Sequence, residues 1–285
     1  GTGALGVTTA HSPVDFDMYL KQKALGNDIG LVQVISQDGR MTANAGSEYE
    51  GLFVLEAREK VVEWLRSEGL LEKEEDLMQN VGTSDRFGDV VEPIPMTQWF
   101  VDVNKEIPGR GHASLRQGGA GKSLKDLMRE AVAMGHNGDP NQKVRITPER
   151  FEKTYFQWID HLRDWNISRQ IWWGHRIPVW YKQETSDAYV AVEPPKDLEN
   201  WVQDEDTLDT WFSAGLWTFS TLGWPDEQKF KKEKLFHPTT WMQMGYEILF
   251  FWMARMILMS TYALGEIPFS DVYIHGILRD KNGKK

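Results

Sequence analysis

The sequence predicts an α/β protein built on parallel strands, and its last fifty residues carry the pattern that decides this. Residues 239–244 have the composition of a strand, Gly245 interrupts it, and apolar residues between Glu247 and about Leu264 recur near helical spacing. Residues 271–274 read as a second strand. A strand, a helix and a strand of these lengths predict a βαβ unit with parallel strands and a right-handed crossover.

The carboxyl ends of the two strands are therefore expected at one edge of the sheet. This places Gly245 and Glu247 beside His275 and Gly276, where open α/β sheets bind nucleotides. A packed βαβ unit without any ligand fits the same residues equally well. From this unit alone, both interpretations stay open.

The first third of the chain predicts two helices and a strand. Ser12 is expected to cap a helix that runs to about Leu25, with Pro13 at its first position and Asp15 in its first turn. The further expected elements are a strand at 31–35, a turn at 37–40 and an amphipathic helix at 53–67 that Gly69 closes. Residues 70–91 are polar and turn-rich, which indicates a domain connection and predicts domains at 1–90 and 91–285.

The middle of the chain predicts two more helices and a surface hairpin. The helices are expected at 124–134 and from 147–149 onward, and the hairpin at 182–199. Four carboxylates between Asp204 and Asp209 precede a Trp-rich segment. Such runs are usually solvated, but this one leads directly into apolar sequence, so some of its members are expected to line a cleft.

Composition excludes several classes of function. The chain has no Cys, so it has no disulfide, thiolate nucleophile or Cys-based zinc site. A net charge of −10 argues against a protein that coats nucleic acid generally. The longest apolar run, 248–264, is interrupted by Arg255, so a membrane span is not expected.

Two local patterns suggest ligand sites but fit them poorly. Residues 118–123 resemble a phosphate-binding loop, yet Arg116 occupies the position of its first Gly. A flexible loop leading into the next helix is the preferred interpretation. His175 has no partner at metal-ligand spacing, so a metal role is not expected for it.

Five stretches together resemble the class I aminoacyl-tRNA synthetases, and most closely their valyl group. Four resemble the catalytic domain (165–181, 203–224, 245–255 and 272–285), and 1–15 resembles the editing domain. The Asp-Thr-Trp-Phe-Ser sequence that begins at Asp209, with Leu-Trp after it, separates the valyl group from the isoleucyl and leucyl groups. The alternatives are an isoleucyl-type synthetase, a free-standing editing hydrolase, and a nucleotide-binding scaffold.

The resemblance implies an α/β layout in two parts. Residues 1–90 would be the C-terminal part of a mixed α+β, β-barrel-like editing domain. Residues 91–285 would be the second half of a Rossmann-type catalytic domain. The HIGH motif would lie upstream, and Lys285 falls on the first Lys of the KMSKS motif. The chain is therefore expected to be an internal segment that is inactive alone.

The resemblance also assigns roles in the catalytic site. Trp211 and Trp252 would wall the amino-acid pocket. Gly245 and Glu247 would lie against ribose and adenine, with the His275-Gly276 backbone beside the adenine. Lys285 would neutralise the triphosphate as pyrophosphate leaves.

In the editing part, the resemblance makes Asp15 the carboxylate that holds the substrate's α-amino group and Thr8 a pocket wall. Helix capping by Asp15 is the competing interpretation. Two positions depart from the family: Gly6 stands where Lys is usual, and Ser12 where Asp is usual. Gly6 removes a cation from the expected editing site.

The ligands and partners implied are ATP with Mg²⁺, valine and tRNA(Val). No zinc is expected, because the Cys pairs of many relatives are missing around 83–89 and 182–191. A monomer in the cytoplasm, without a membrane partner, completes the expectation.

Overall fold

The computed structural model describes residues 3, 5–78, 80–84, 87–108, 121–182, 185 and 187–284. The chain divides into two units, Gly1–Thr97 and Gln98–Lys285.

The first unit contains helices α1 (Pro13–Ala24) and α2 (Val54–Ser67). Helix α1 begins as predicted: Pro13 is its first residue, and Ser12 Oγ accepts from the Asp15 N–H at 3.4 Å. Gly69, just after α2, has a φ of +69°, the left-handed conformation that favours glycine after a helix.

The predicted strand at 31–35 is wrong. Ile35 pairs only in an isolated bridge with Met41. The reason is that the N–H groups of Val34 and Ile35 donate to His11 Nε2, at 2.9 and 3.2 Å, instead of to a neighbouring strand. Across the described residues of this unit, β pairing is limited to isolated bridges.

The second unit holds ten strands and six α-helices among its described residues. The strands are β1 (Phe100–Val101), β2 (Arg145–Thr147), β3 (Trp165–Asn166), β4 (Ser168–Arg169), β5 (Val179–Lys182), β6 (Ala188–Val190), β7 (Trp201–Gln203), β8 (Thr207–Leu208), β9 (Thr239–Gly245) and β10 (Phe269–His275). The helices are α3 (Leu124–Ala133), α4 (Arg150–Asp160), α5 (Thr210–Ala214), α6 (Trp217–Ser220), α7 (Glu227–Lys232) and α8 (Ala254–Ala263).

The predicted parallel pairing is confirmed. A three-stranded sheet has the order β2-β10-β9, and β10 pairs in parallel with both neighbours. His275 lies opposite Gly245, and Asp271 lies opposite Trp241. The carboxyl ends of β9 and β10 therefore share an edge, as the βαβ pattern requires.

The crossover between β9 and β10 differs from the single α-helix predicted from Glu247. It begins with a 3-10 turn at Tyr246–Ile248, widens into a π-helix at Leu249–Met253, and becomes the buried helix α8. Gly265 follows α8 with a φ of +67°, as expected of a residue that caps a helix.

The core of this unit lies between the three-stranded sheet and the helices α3, α4 and α8. Its fully buried side chains include Leu127, Tyr155, Met256, Ile257 and Phe269. The hairpin expected at 182–199 forms between β5 and β6, so its strands span 179–190 and begin earlier than expected. The helix start expected at 147–149 is wrong by a few residues, because Thr147 pairs with Tyr273 in the sheet and α4 begins at Arg150.

Candidate functional site

The shared edge of β9 and β10 gathers the residues expected to bind a nucleotide. Gly245 is buried, and the Glu247 side chain folds back over it: a Cβ at position 245 would lie 2.3 Å from Glu247 Oε2. On β10, His275 Nδ1 donates to the Gly276 carbonyl at 2.6 Å. The structure thus brings all four predicted residues to one edge.

Trp211 and Trp252, the predicted pocket walls, come from two elements that pack together. The Trp211 ring on α5 stacks against Phe251 of the π-helix, with centroids 5.9 Å apart. Trp252 Nε1 donates to the Ala214 carbonyl at the end of α5, at 3.0 Å. Both indoles are half-buried, so each retains surface that a ligand can contact.

Asp209 is a site residue that sequence reasoning missed. Its side chain is only 6% exposed. Oδ2 accepts from Trp165 Nε1 at 3.0 Å and from an Arg169 guanidinium nitrogen at 2.8 Å, while Oδ1 accepts from the Trp211 N–H at 3.1 Å. Its position just before an apolar segment was the available indication that this carboxylate is not solvated.

Arg255 is the second missed residue. Its guanidinium is buried over the Trp165 ring at 4.0 Å and lies 5.3 Å from the centroid of Trp158. Burial lowers the pKa of Arg255 to about 10, although the charge of Asp209 acts in the opposite direction. The side chain stays cationic near neutral pH and is held mainly by aromatic faces.

The segment after β10 turns back toward the shared edge of β9 and β10, which we call the nucleotide edge. Arg279 donates to the Tyr246 hydroxyl at 3.1 Å and to the Gly283 carbonyl at 2.7 Å. The Asp280 N–H donates to the Lys284 carbonyl, which closes the turn. Lys285, the predicted phosphate ligand, lies outside the described residues.

The first unit brings Thr8 and Asp15 together. The Asp15 carboxylate accepts from the Thr8 N–H at 2.9 Å and from its hydroxyl at 3.2 Å. Thr8, but not Asp15, is among the residues that line a mainly apolar cavity of about 510 Å³. Its lining includes Val7, Thr8, Thr9, His11, Met18 and Val34.

His11 lines this cavity, but its ring is fully used by the backbone. Nε2 accepts from the Val34 and Ile35 N–H groups, and Nδ1 therefore donates to the Pro93 carbonyl at 3.0 Å. In this pattern the Nδ1 nitrogen carries a proton and Nε2 is the acceptor. His11 thus supports the cavity wall and has no nitrogen left for a substrate.

The sequence that resembles a phosphate loop is only partly visible, since 109–120 lie outside the described residues. Lys122 Nζ pairs with Glu130 at 2.6 Å, and Ser123 and Asp126 form a reciprocal cap at the start of α3. Lys122 and Ser123 are thus both engaged in holding α3. This favours the interpretation of the sequence as a lead into that helix over the interpretation as a phosphate-binding loop.

Two kinds of feature are absent from the described residues. These residues contain no cluster of three or more His, Cys, Asp or Glu side chains that could hold a metal ion. Within the same part of the chain, no helix is both long and apolar enough to cross a lipid bilayer.

Comparison with known proteins decides the family. The family described as tRNA synthetases class I (I, L, M and V) matches residues 54–285, which is most of the chain. The chain belongs to this family. The class I synthetase match spans the end of the first unit and the whole of the second, including both strands of the nucleotide edge and both tryptophans.

Three relatives of this class I synthetase chain are each named valine--tRNA ligase. The chain is 43% identical over 285 residues to that of Oceanobacillus iheyensis, and 44% identical over 287 and 289 residues to those of Geobacillus kaustophilus and Bacillus subtilis. Each alignment covers 100% of this chain and 29% of the relative. The chain thus spans less than a third of the length of these relatives.

Proposed function

We propose that this chain is part of an enzyme that activates valine with ATP and transfers it to tRNA(Val). One observation carries the proposal: the nucleotide-type edge at Gly245 and His275 is continuous with the elements that bear Trp211 and Trp252. This arrangement occurs in a class I synthetase that is 43% identical, along its whole length, to a valine--tRNA ligase.

The reaction needs positioning and charge stabilisation, not a covalent intermediate with the enzyme. A carboxylate oxygen of valine attacks the α-phosphate of ATP, and pyrophosphate leaves with Mg²⁺, which arrives as part of the substrate complex. A terminal hydroxyl of tRNA(Val) then attacks the valyl carbonyl and releases AMP. Glu247 accepts from the ribose hydroxyls, the backbone at His275 and Gly276 borders the adenine, and Lys285 neutralises the departing phosphates.

Trp211 and Trp252 select the amino acid by size. Rigid aromatic walls exclude larger side chains, but an apolar pocket rejects the near-isostere threonine only about a hundredfold. A second, hydrolytic site is therefore needed. We assign it to the first unit, and the supporting observation is a cavity lined by Thr8, whose N–H donates to the Asp15 carboxylate.

The finer layout belongs to the same proposal. Residues 1–90 are the C-terminal part of a β-barrel-like editing domain, and 91–285 are the second half of a Rossmann-type catalytic domain. The enzyme works as a monomer in the cytoplasm and holds no zinc.

Amino-acid-dependent ATP–pyrophosphate exchange tests the proposal. The assay uses the complete natural polypeptide that carries this chain, with valine, isoleucine and threonine compared at equal concentrations. Valine should give the highest kcat/KM. Faster exchange with isoleucine would indicate an isoleucyl-type enzyme, and hydrolysis of Thr-tRNA(Val) without any exchange would indicate an editing hydrolase.

A further inference from the structure

The carboxylates between Asp204 and Asp209 serve different parts of the fold. Asp204 accepts from Trp99 Nε1 at 2.8 Å and from the Tyr181 hydroxyl at 3.1 Å, and Asp206 accepts from the Gln170 amide. Asp209 is the one that reaches the core cluster, where its side chain is 6% exposed.

Asp209 joins three elements through one carboxylate. Oδ1 accepts from the N–H of Trp211, the second residue of α5, while Oδ2 accepts from the indole of Trp165 on β3 and the guanidinium of Arg169 on β4. The Asp209 N–H donates to the Ile167 carbonyl at 2.7 Å. Backbone and side chain together fix the point at which α5 begins.

The connection continues to the element that bears the second pocket wall. The Trp165 ring, fixed by Asp209, lies 4.0 Å from the Arg255 guanidinium and 5.8 Å from the Phe212 ring. Arg255 lies three residues after Trp252, one turn farther along the same continuous helix. Asp209 therefore ties both tryptophans to one buried framework.

We propose that Asp209 is a positioning residue that holds Trp211 at a fixed separation from Trp252 and so sets the size of the amino-acid side chain that is admitted. The inference rests on the proposed function, since it assumes that these two rings wall the amino-acid pocket. Asp209 need not touch the substrate. It acts through α5, a helix of only five residues that has little stability of its own.

Asp209→Asn in the complete enzyme tests the inference. The variant keeps the shape of the side chain but removes the charge that pairs with Arg169. Losing a charge-assisted hydrogen bond predicts a rise of at least about tenfold in the KM for valine. The KM for ATP should stay within about twofold, and the kcat/KM ratio of valine to isoleucine should fall, since a loosened wall admits a larger side chain.

Asp204→Asn is the matched control. It makes the same chemical change to a carboxylate that also binds an indole, but the side-chain partners of Asp204 Oδ2 are Trp99 and Tyr181, neither of which belongs to α5. All three kinetic quantities should match those of the wild type.

A purely structural role for Asp209 predicts a different result. Partial unfolding lowers the amount of active enzyme, and hence the apparent kcat, but leaves KM and the valine-to-isoleucine ratio unchanged. That outcome overturns the inference. If Asp209→Asn melts below the assay temperature, Arg169→Gln breaks the same ion pair from its more exposed side, which is 39% exposed. If Arg169→Gln leaves the kcat/KM ratio of valine to isoleucine unchanged, that result also overturns the inference. A wild-type enzyme without valine-dependent exchange overturns the proposed function and the inference with it.

Discussion

Gly245→Ala should separate ATP binding from stability at the nucleotide edge. Gly245 has φ −70° and ψ 149°, which any residue can adopt, so the backbone itself does not require glycine. The added Cβ would lie 2.3 Å from Glu247 Oε2, 3.0 Å from its Cδ and 3.1 Å from its Oε1. An ordinary contact is near 3.5 Å, so the carboxylate must move by about 1 Å.

The carboxylate lies at the end of a flexible side chain, so the fold should tolerate this movement. Displacing it costs about 0.5–1.5 kcal/mol if Glu247 leaves its preferred rotamer. Replacing Gly by Ala raises the free energy of unfolding by about 0.4–1 kcal/mol, because it restricts the unfolded chain. The two effects nearly cancel in the free energy of unfolding. Loss of a charged hydrogen bond to ribose, by contrast, should raise the KM for ATP about ten- to a hundredfold.

A double-mutant cycle is the decisive assay. Thermal melting and the KM for ATP in pyrophosphate exchange are measured for the wild type, Gly245→Ala, Glu247→Ala and the double variant. The double variant should bind ATP no more weakly than Glu247→Ala, because the clash has been removed with the carboxylate. Gly82→Ala is the control, since a Cβ there meets nothing within 4 Å and φ is not positive.

A further loss of ATP affinity when Gly245→Ala is added to Glu247→Ala would refute this reasoning. It would mean that Gly245 is needed for close approach of the nucleotide itself, independently of the Glu247 carboxylate.

Three further predictions concern the pocket, the first unit and the core. Trp211→Ala and Trp252→Ala should each raise the KM for valine much more than that for ATP, because only the amino-acid pocket loses a wall. Asp15→Ala should slow hydrolysis of Thr-tRNA(Val) about ten- to a hundredfold through loss of the partner of the substrate ammonium, while valine activation stays near normal. Stability to urea should fall between pH 7.5 and 5.5, because burial lowers the pKa of His136 and His237, so below about 6.5 the unfolded chain binds more protons than the folded protein.

Each of these has a control. Removing a fully buried Trp costs about 3–5 kcal/mol, and removing either of these half-buried rings should cost part of that, so melting is measured first. An equal rise in KM for valine and for ATP would argue against an amino-acid pocket. If Asp15→Ala and Asp15→Asn hydrolyse Thr-tRNA(Val) normally but melt earlier, Asp15 is structural only. His136→Leu should reduce the pH dependence, since neither ring nitrogen has a hydrogen-bond partner among the described residues. If His136→Leu leaves the slope of the free energy of unfolding against pH unchanged, His136 is not a source of the pH dependence.

The βαβ unit could be predicted because its information is local. Strand composition, the break at Gly245 and the helical spacing all lie within about forty consecutive residues, and the geometry of parallel strands then places His275 opposite Gly245. The prediction of a strand at 31–35 was wrong because the deciding contact is not local. The backbone donors of this segment bind the ring of His11, more than twenty residues earlier, and no local pattern reveals such a partner.

The π-helix also could not be predicted from the spacing of apolar residues in the sequence. A stretch of five residues, Leu249–Met253, is too short to distinguish from α-helical spacing. Its wider turn changes which residues face α5, so the pairing of Phe251 with Trp211 and of Trp252 with Ala214 had to come from the structure.

Asp15 and Asp209 show why helix-capping patterns alone do not identify site residues. Both stand at or near the first turn of a helix, a position where Asp is common. The Asp15 carboxylate turns instead to Thr8, seven residues earlier, whereas Asp209 caps α5 and also binds side chains on β3 and β4, about forty residues earlier. A helix as short as α5 cannot hold the Trp211 ring in place by its own hydrogen bonds. The placement of Trp211 must therefore come from these distant partners, which is why a sequence motif could suggest Trp211 as a pocket wall but not Asp209 as the residue proposed to position it.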